Sequence, residues 1–171
     1  PETGRGLESA LRVIESILGG QVALLIRQDD HSLGHRAHPA SAFQPAESEF
    51  GVAAWAFGNH QAAGRFTETL PSAEATWFPL QTATSTMGVM GLKREADGLS
   101  FTERQAMEAF ALQLALVLEK EHYIEAVQHA ERLEEGEKLR RALFDSVSHE
   151  LKTPIAVIRA ACSAADDSSS A

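Results

Sequence analysis

The chain has 171 residues, 44% of them hydrophobic, with 24 acidic against 15 basic side chains and a formal net charge of −9. That length allows one modest globular core plus an extended region that cannot fold into it, and the acidic balance disfavours a general binder of phosphate backbones, so nucleic acid is not an expected partner. One cysteine, Cys162, excludes an internal disulfide framework and fits a reducing cytoplasm.

In chain order, "GLESALRVIESILGG" puts Leu7, Leu11, Ile14 and Leu18 on one helical face and ends on Gly19-Gly20, which predicts a leading helix with a glycine stop. "QVALLIRQ", "ATWFPLQT" and "TMGVMGLKR" are short apolar runs bounded by turn residues, and the last alternates; three strands are expected. Between the first two, "PAESEFGVAAWAFGN" predicts a helix entering at Pro45 with acidic residues in its first turn and ending at Gly58-Asn59. "QAAGRFTETLPSAE" is punctuated by Gly and Pro and reads as a loop able to cover a pocket.

Trp55, Phe57, Phe66, Thr67, Thr69, Trp77 and Phe78 are the candidate lining of such a pocket. The competing reading, favoured for two tryptophans in a small domain, is that these aromatics are core. His31, His35 and His38 in "DHSLGHRAHP" would align on a helix, but Gly34 and Pro39 argue for a loop, so no metal site is expected.

From Phe101 the character changes. A helix-start signal of Ser or Thr followed by Glu opens a stretch without proline for about fifty residues, which predicts one long helix, on the order of 70 Å if unbroken to His149. The longest apolar-rich run, "AFALQLALVLE", is interrupted by Gln113 and is too short for a membrane span, so no direct membrane contact is expected. Tyr123, Val127, Ala130 and Leu133 continue with spacings of 4, 3 and 3, the seam of a coiled coil. The seam then falls on Glu137 and Arg140 beside Gly136, a weak middle, and resumes at Phe144.

"FDSVSHELKTP" closes the argument. Phe144, Val147, Leu151, Ile155, Ile158 and Cys162 form a helical stripe about 80° wide, and His149 lies roughly 160° from its centre, facing water or a partner. Thr153 sits about 40° from His149 on that outer face, and Glu150 lies on the flank. Pro154 removes a donor to the carbonyl of Glu150 and predicts a kink just beyond the histidine.

"SHELKTP" resembles the H-box of sensor histidine kinases, on the first helix of a dimeric helical hairpin. The resemblance implies that His149 is the phosphoacceptor, Glu150 its acid/base and orienting neighbour, Thr153 the residue that positions water for dephosphorylation, and Pro154 the kink. It also implies Mg-ATP at a catalytic domain outside these residues, since no phosphate-cradling glycine motif occurs here; no cofactor is expected on this chain.

The arrangement of helices and strands resembles the GAF sensory fold, an α+β architecture with a small antiparallel sheet flanked by helices and a long C-terminal signalling helix. "FGVAAWAFGNHQAAGRFTETLPSAEATWFPL" followed by "TMGVMGL" is similar to the GAF region of Kdp-type potassium-uptake sensor kinases. The implied organisation is a GAF-like domain over 1–119, a coiled-coil linker helix over 120–140 and the first hairpin helix over 141–171. The implied partners are a second copy of the chain in a parallel homodimer, the kinase catalytic domain and a response regulator, and the implied place is the cytoplasmic part of a membrane-anchored protein. The alternative is a non-catalytic ligand-binding and dimerisation module carrying a vestigial H-box.

Overall fold

The computed structural model describes the backbone of residues 2–168 and the side chains of residues 6–146. The chain divides into two compact units, one up to His122 and one from Tyr123 onward.

In the first unit, helix α1 (Glu2–Leu18) buries Leu7, Leu11, Ile14 and Leu18, the face its spacing predicts. It stops because Gly19 turns left-handed at φ 64° and donates its N–H to the Glu15 carbonyl at 2.9 Å. Gly20 follows with no room for a side chain: a Cβ there would lie 2.7 Å from the Lys93 carbonyl oxygen. That close approach lets strand β1 (Gln21–Ile26) start directly beside the end of strand β4 (Thr86–Lys93), with Gln21 opposite Lys93.

Helix α2 (Glu47–Asn59), strand β2 (Ala63–Gly64) and strand β3 (Thr76–Gln81) complete the unit with the start of α3 (Phe101–Ser168). The sheet is antiparallel in the order β1-β4-β3-β2. The predicted α+β class and three of its strands are therefore present, and β2 is an addition. Two residues are too few to show a periodicity. The pairing of β2 stops at Trp77, two residues before Pro79, which has no N–H to offer a neighbouring strand.

Strand alternation sorts two cores. Val22, Leu24, Phe78, Leu80, Met90 and Leu92 pack with α1 and with Met107, Ala111, Leu114, Ala115 and Leu118 of α3. Ala23, Leu25, Trp77 and Val89 point to the opposite face, against Ala53 and Ala56 of α2. Strand β4 was expected to alternate between core and solvent, but both its faces are buried from Thr86 to Leu92, because helices cover both sides of this central strand.

The free edge of β1 is covered by irregular chain. Gly34, His38 and Ala42 donate their N–H groups to the carbonyls of Ile26, Leu24 and Val22 at 3.0, 2.8 and 2.9 Å.

One helix boundary, the start of α2, differs from expectation in detail. Helix α2 begins at Glu47 rather than Pro45, with Ala46 as an N-cap that makes no side-chain bond; it ends at Asn59 with His60, not a glycine, in the left-handed conformation at φ 57°. Helix α3 starts as its sequence predicts. The Ser100 hydroxyl accepts the Glu103 N–H at 3.2 Å and the Glu103 carboxylate accepts the Ser100 N–H at 2.8 Å, a reciprocal cap that satisfies two otherwise orphaned donors.

The second unit contains only helix from Tyr123 onward within the described backbone. Every described side chain from His122 to Ser146 is exposed. Tyr123, Val127, Leu133 and Phe144, four of the apolar positions of the expected seam, are 57 to 64% exposed. Arg140 lies over the Phe144 ring at 5.9 Å, and Arg141 pairs with Glu137 at 3.3 Å.

Candidate functional site

The predicted phosphoacceptor group of His149, Glu150, Thr153 and Pro154 falls within the helical span of α3. The side chains of these four residues, and of Cys162, lie outside the described residues.

The pocket expected between sheet and covering loop is filled, and the filling can be followed atom by atom. Trp77 is fully buried; its ring lies on Gly91, where a Cβ would come within 2.6 Å of it. Its indole N–H donates to Glu49 at 3.3 Å, and the buried Glu49 carboxylate also accepts the N–H groups of Glu74 at 2.7 Å and Ala75 at 3.2 Å. A buried carboxylate is tolerable here because three donors surround it. Phe43 tilts against the indole with ring centroids 6.2 Å apart.

Phe78, next to Trp77 on β3, faces the other core, so the two cannot line one pocket. Trp55 and Phe57 are half-buried against the α2 core. Thr67 uses its hydroxyl on its own loop, with the Gly64 and Thr69 carbonyls each 2.7 Å away and the Thr69 N–H 3.2 Å away. Phe66 stands in the left-handed region at φ 64°, and its carbonyl accepts an N–H from Arg104 at 2.8 Å. These seven residues build a core and a pinned loop rather than a cavity wall, except Phe78.

Space exists elsewhere. A cavity of about 420 Å³ opens beside the part of β3 that β2 does not cover, lined by His60, Gln61, Phe78, Gln81, Arg104 and Glu108 among others. His60 Nδ1 is 2.9 Å from the Thr86 hydroxyl. A second cavity, of about 610 Å³, lies where α1 ends, between Arg65, Lys93 and Arg94. Two of these three cations form ion pairs: Lys93 with Glu74 at 2.5 Å, and Arg94 with Glu103 at 2.8 Å while also holding the Leu18 and Gly98 carbonyls at 2.8 and 2.6 Å; Arg65 lies over the Phe66 ring at 5.0 Å. The Arg94 guanidinium, together with the Ser100 backbone and hydroxyl, holds the Glu103 carboxyl down at about 2.

One junction in this unit was not legible in the sequence. The β3–β4 turn aims the hydroxyls of Thr82, Thr84 and Ser85 at one oxygen of Glu119 on α3, at 2.7, 2.6 and 2.9 Å. Those bonds lower the Glu119 pKa from the ordinary glutamate value, the Thr84 bond most.

The three histidines take separate local roles. His31 occupies a left-handed turn position, His35 stacks on Phe50 with ring centroids 3.8 Å apart, and His38 Nδ1 accepts the Ala40 N–H at 3.1 Å. Among the described residues no three His, Cys, Asp or Glu side chains gather as a metal site, and no helix is long and apolar enough to cross a membrane.

A four-stranded antiparallel sheet with α1 and α3 on one face and α2 on the other is the layout of a small sensory domain. The family described as "GAF domain" matches residues 5–120, and the chain belongs to that family. Among curated proteins it is similar to Sensor protein KdpD of Escherichia coli (strain K12), 29% identical over 147 residues that are 85% of this chain and 16% of that protein. It is also 29% identical to Sensor protein KdpD of Clostridium acetobutylicum over 119 residues, 69% of this chain and 13% of that one. The chain thus spans about a sixth or less of the length of these relatives. Its fold is similar to the crystal structure of the native GAF domain of the potassium sensor histidine kinase KdpD from Escherichia coli, with a TM-score of 0.59 and 24% identity, covering 70% of this chain and 83% of that one.

Proposed function

We propose that the chain is the sensory and phosphoacceptor part of a two-component sensor histidine kinase that controls potassium uptake or an osmotic response. The observation that carries this reading is the sequence "SHELKTP" on the helix that leaves a GAF domain similar to that of KdpD. His149 is the acceptor. An imidazole in general is in part an unprotonated nucleophile near neutral pH, so this residue type needs no strong base. Glu150 orients the ring and acts as its acid/base neighbour, Thr153 positions water when the phosphate is removed, and Pro154 loosens the helix one turn on. A catalytic domain outside these residues supplies Mg-ATP, and a response regulator receives the phosphate.

The exposed apolar residues from Tyr123 to Phe144 support a parallel homodimer. Gly136, Glu137 and Arg140 are its poised joint, where a change in the sensory domain alters what is presented around His149. No ligand-derived group is needed on this chain for that role.

The test supplies the kinase catalytic domain of the parent protein and Mg-ATP to this chain. Acid-labile phosphate is expected on His149 and none on the His149→Gln variant; label that persists in the variant overturns the assignment. Thr153→Ala is expected to accept phosphate normally and lose it more slowly. A chain that is never phosphorylated, with either a full-length or a supplied catalytic domain, is the non-catalytic module instead.

A further inference from the structure

The cavity beside β3 holds charges that the packing leaves unused. Arg104 and Glu108 stand one turn apart on α3, the spacing at which opposite charges on a helix pair. They form no ion pair with each other or with any other charged side chain among the described residues. Arg104 turns to the Phe66 carbonyl instead, which occupies one of the five N–H donors of a guanidinium. The exposed Glu108 carboxylate has no hydrogen-bond partner among the described residues.

The backbone at the cavity's rim is fixed locally. His60, whose left-handed backbone ends α2, stands in the wall, and Phe66, whose carbonyl Arg104 grips, is also at positive φ; they are two of the four such non-glycine residues among the described residues. Such conformations gather where a site constrains the chain. The volume, about 420 Å³, is within the usual range for small-molecule pockets.

We infer that this cavity binds a small zwitterion of the amino-acid type, its carboxylate on Arg104 and its ammonium on Glu108. Charge decides the class. A phosphate would face the Glu108 carboxylate and a metal cation the Arg104 guanidinium, while a neutral ligand would leave both charges desolvated without a counter-charge. A zwitterion answers each with its opposite, and its side chain meets an apolar wall of Phe78, Pro79 and Leu112 flanked by the exposed amides of Gln61 and Gln81. Because Arg104 also holds the Phe66 carbonyl with one of its donors, a bound carboxylate shares the guanidinium with the 65–75 loop, so occupancy bears on the tie between that loop and α3. The binding claim concerns this chain alone and holds or fails without His149; its consequence for kinase output rests on the function proposed above.

Isothermal titration of the chain with each of the twenty standard L-amino acids tests it, followed by the α-hydroxy acid and the decarboxylated amine that correspond to any binder. Saturable one-to-one binding of at least one amino acid is expected, weakened at least about tenfold in either analogue, each of which has lost one charge-assisted contact. Glu108→Gln is expected to cost a similar factor while the chain melts at an unchanged temperature, since that side chain supports nothing else. Arg104→Gln should weaken binding too, but it also removes the bond to Phe66, so Glu108→Gln is the deciding variant. Absence of saturable heat with all twenty, or a Glu108→Gln chain that binds as the parent does, overturns the proposal.

Discussion

The two units use leucine in opposite ways. Up to His122, Leu11, Leu24, Leu80 and Leu114 are buried within one interlocked core; from Tyr123 onward, Leu133, Leu139 and Leu143 are 58 to 63% exposed on a single helix. The first unit buries its main apolar faces internally, because α1, α3, α2 and both sheet faces supply mutual cover, and leaves Val13, Ile17, Phe101, Leu112, Leu116 and Val117 exposed. The second cannot, because one helix has nothing of its own to pack against, and isolated helices are marginal in water. The first unit thus carries its own core, while the described side chains of the helix from Tyr123 to Ser146 remain exposed.

The largest effect separates the units outright. Trp77→Ala removes the side chain that joins α2, the β2–β3 loop and β4, and is expected to destabilise the first unit by about 3–5 kcal/mol. Hydrogen exchange resolved by segment should accelerate across β1, β3 and β4 and remain unchanged over 123–146. Faster exchange in both segments would mean that the helix draws its stability from the sensory core.

An intermediate effect sits at the start of α3. Ser100→Ala breaks the reciprocal cap and is expected to cost about 1 kcal/mol of first-unit stability, read by chemical denaturation. The same site sets an acid limit. Glu103 titrates at about 2 in the folded chain, below the ordinary glutamate range, so the folded state holds fewer protons between those values. Its contribution is complete above the ordinary range and is lost as the pH falls toward about 2. Glu103→Gln should flatten that part of the acid denaturation curve, and an unchanged curve would remove the Arg94–Glu103 contact from the account.

The smallest effect belongs to the second unit. Gly136 has nothing within 4 Å of a built Cβ, so Gly136→Ala adds helix propensity worth at most about 1 kcal/mol without a clash. Circular dichroism should show a small gain in helix that melts separately from the first unit. A shift in the melting of the first unit would show that the glycine matters to both.

Much of the fold was legible because local patterns carry it. The 4-3-4 spacing in α1, the β-branched run of β1, the glycines at 19 and 20 and the Ser100-Glu103 box each specify an element through neighbours a few residues away. In β4 both faces are covered, so the alternation read there does not mark a solvent face, and β2 is shorter than any period. Of the two readings of the aromatics, the favoured one, core, holds for Trp77 and Phe78, but a list of aromatics does not say which face of β3 each takes, and these two, adjacent in sequence, belong to different cores.

By itself the sequence determined the order and type of the main elements and the GAF resemblance, and it carries the resemblance to an H-box on which the proposed function rests, because helix period, turn chemistry and a seven-residue motif are all short-range signals. Only the tertiary structure decided what lies between the elements. It placed Trp77 over Gly91 and closed the expected pocket, and it brought three hydroxyls of the β3–β4 turn to Glu119. It also left Arg104 and Glu108 unpaired beside an open stretch of β3. The first two join residues 14 to 37 positions apart, and Arg104 turns from Glu108 to a carbonyl 38 positions away; such contacts are set by how whole faces pack, which no local pattern encodes.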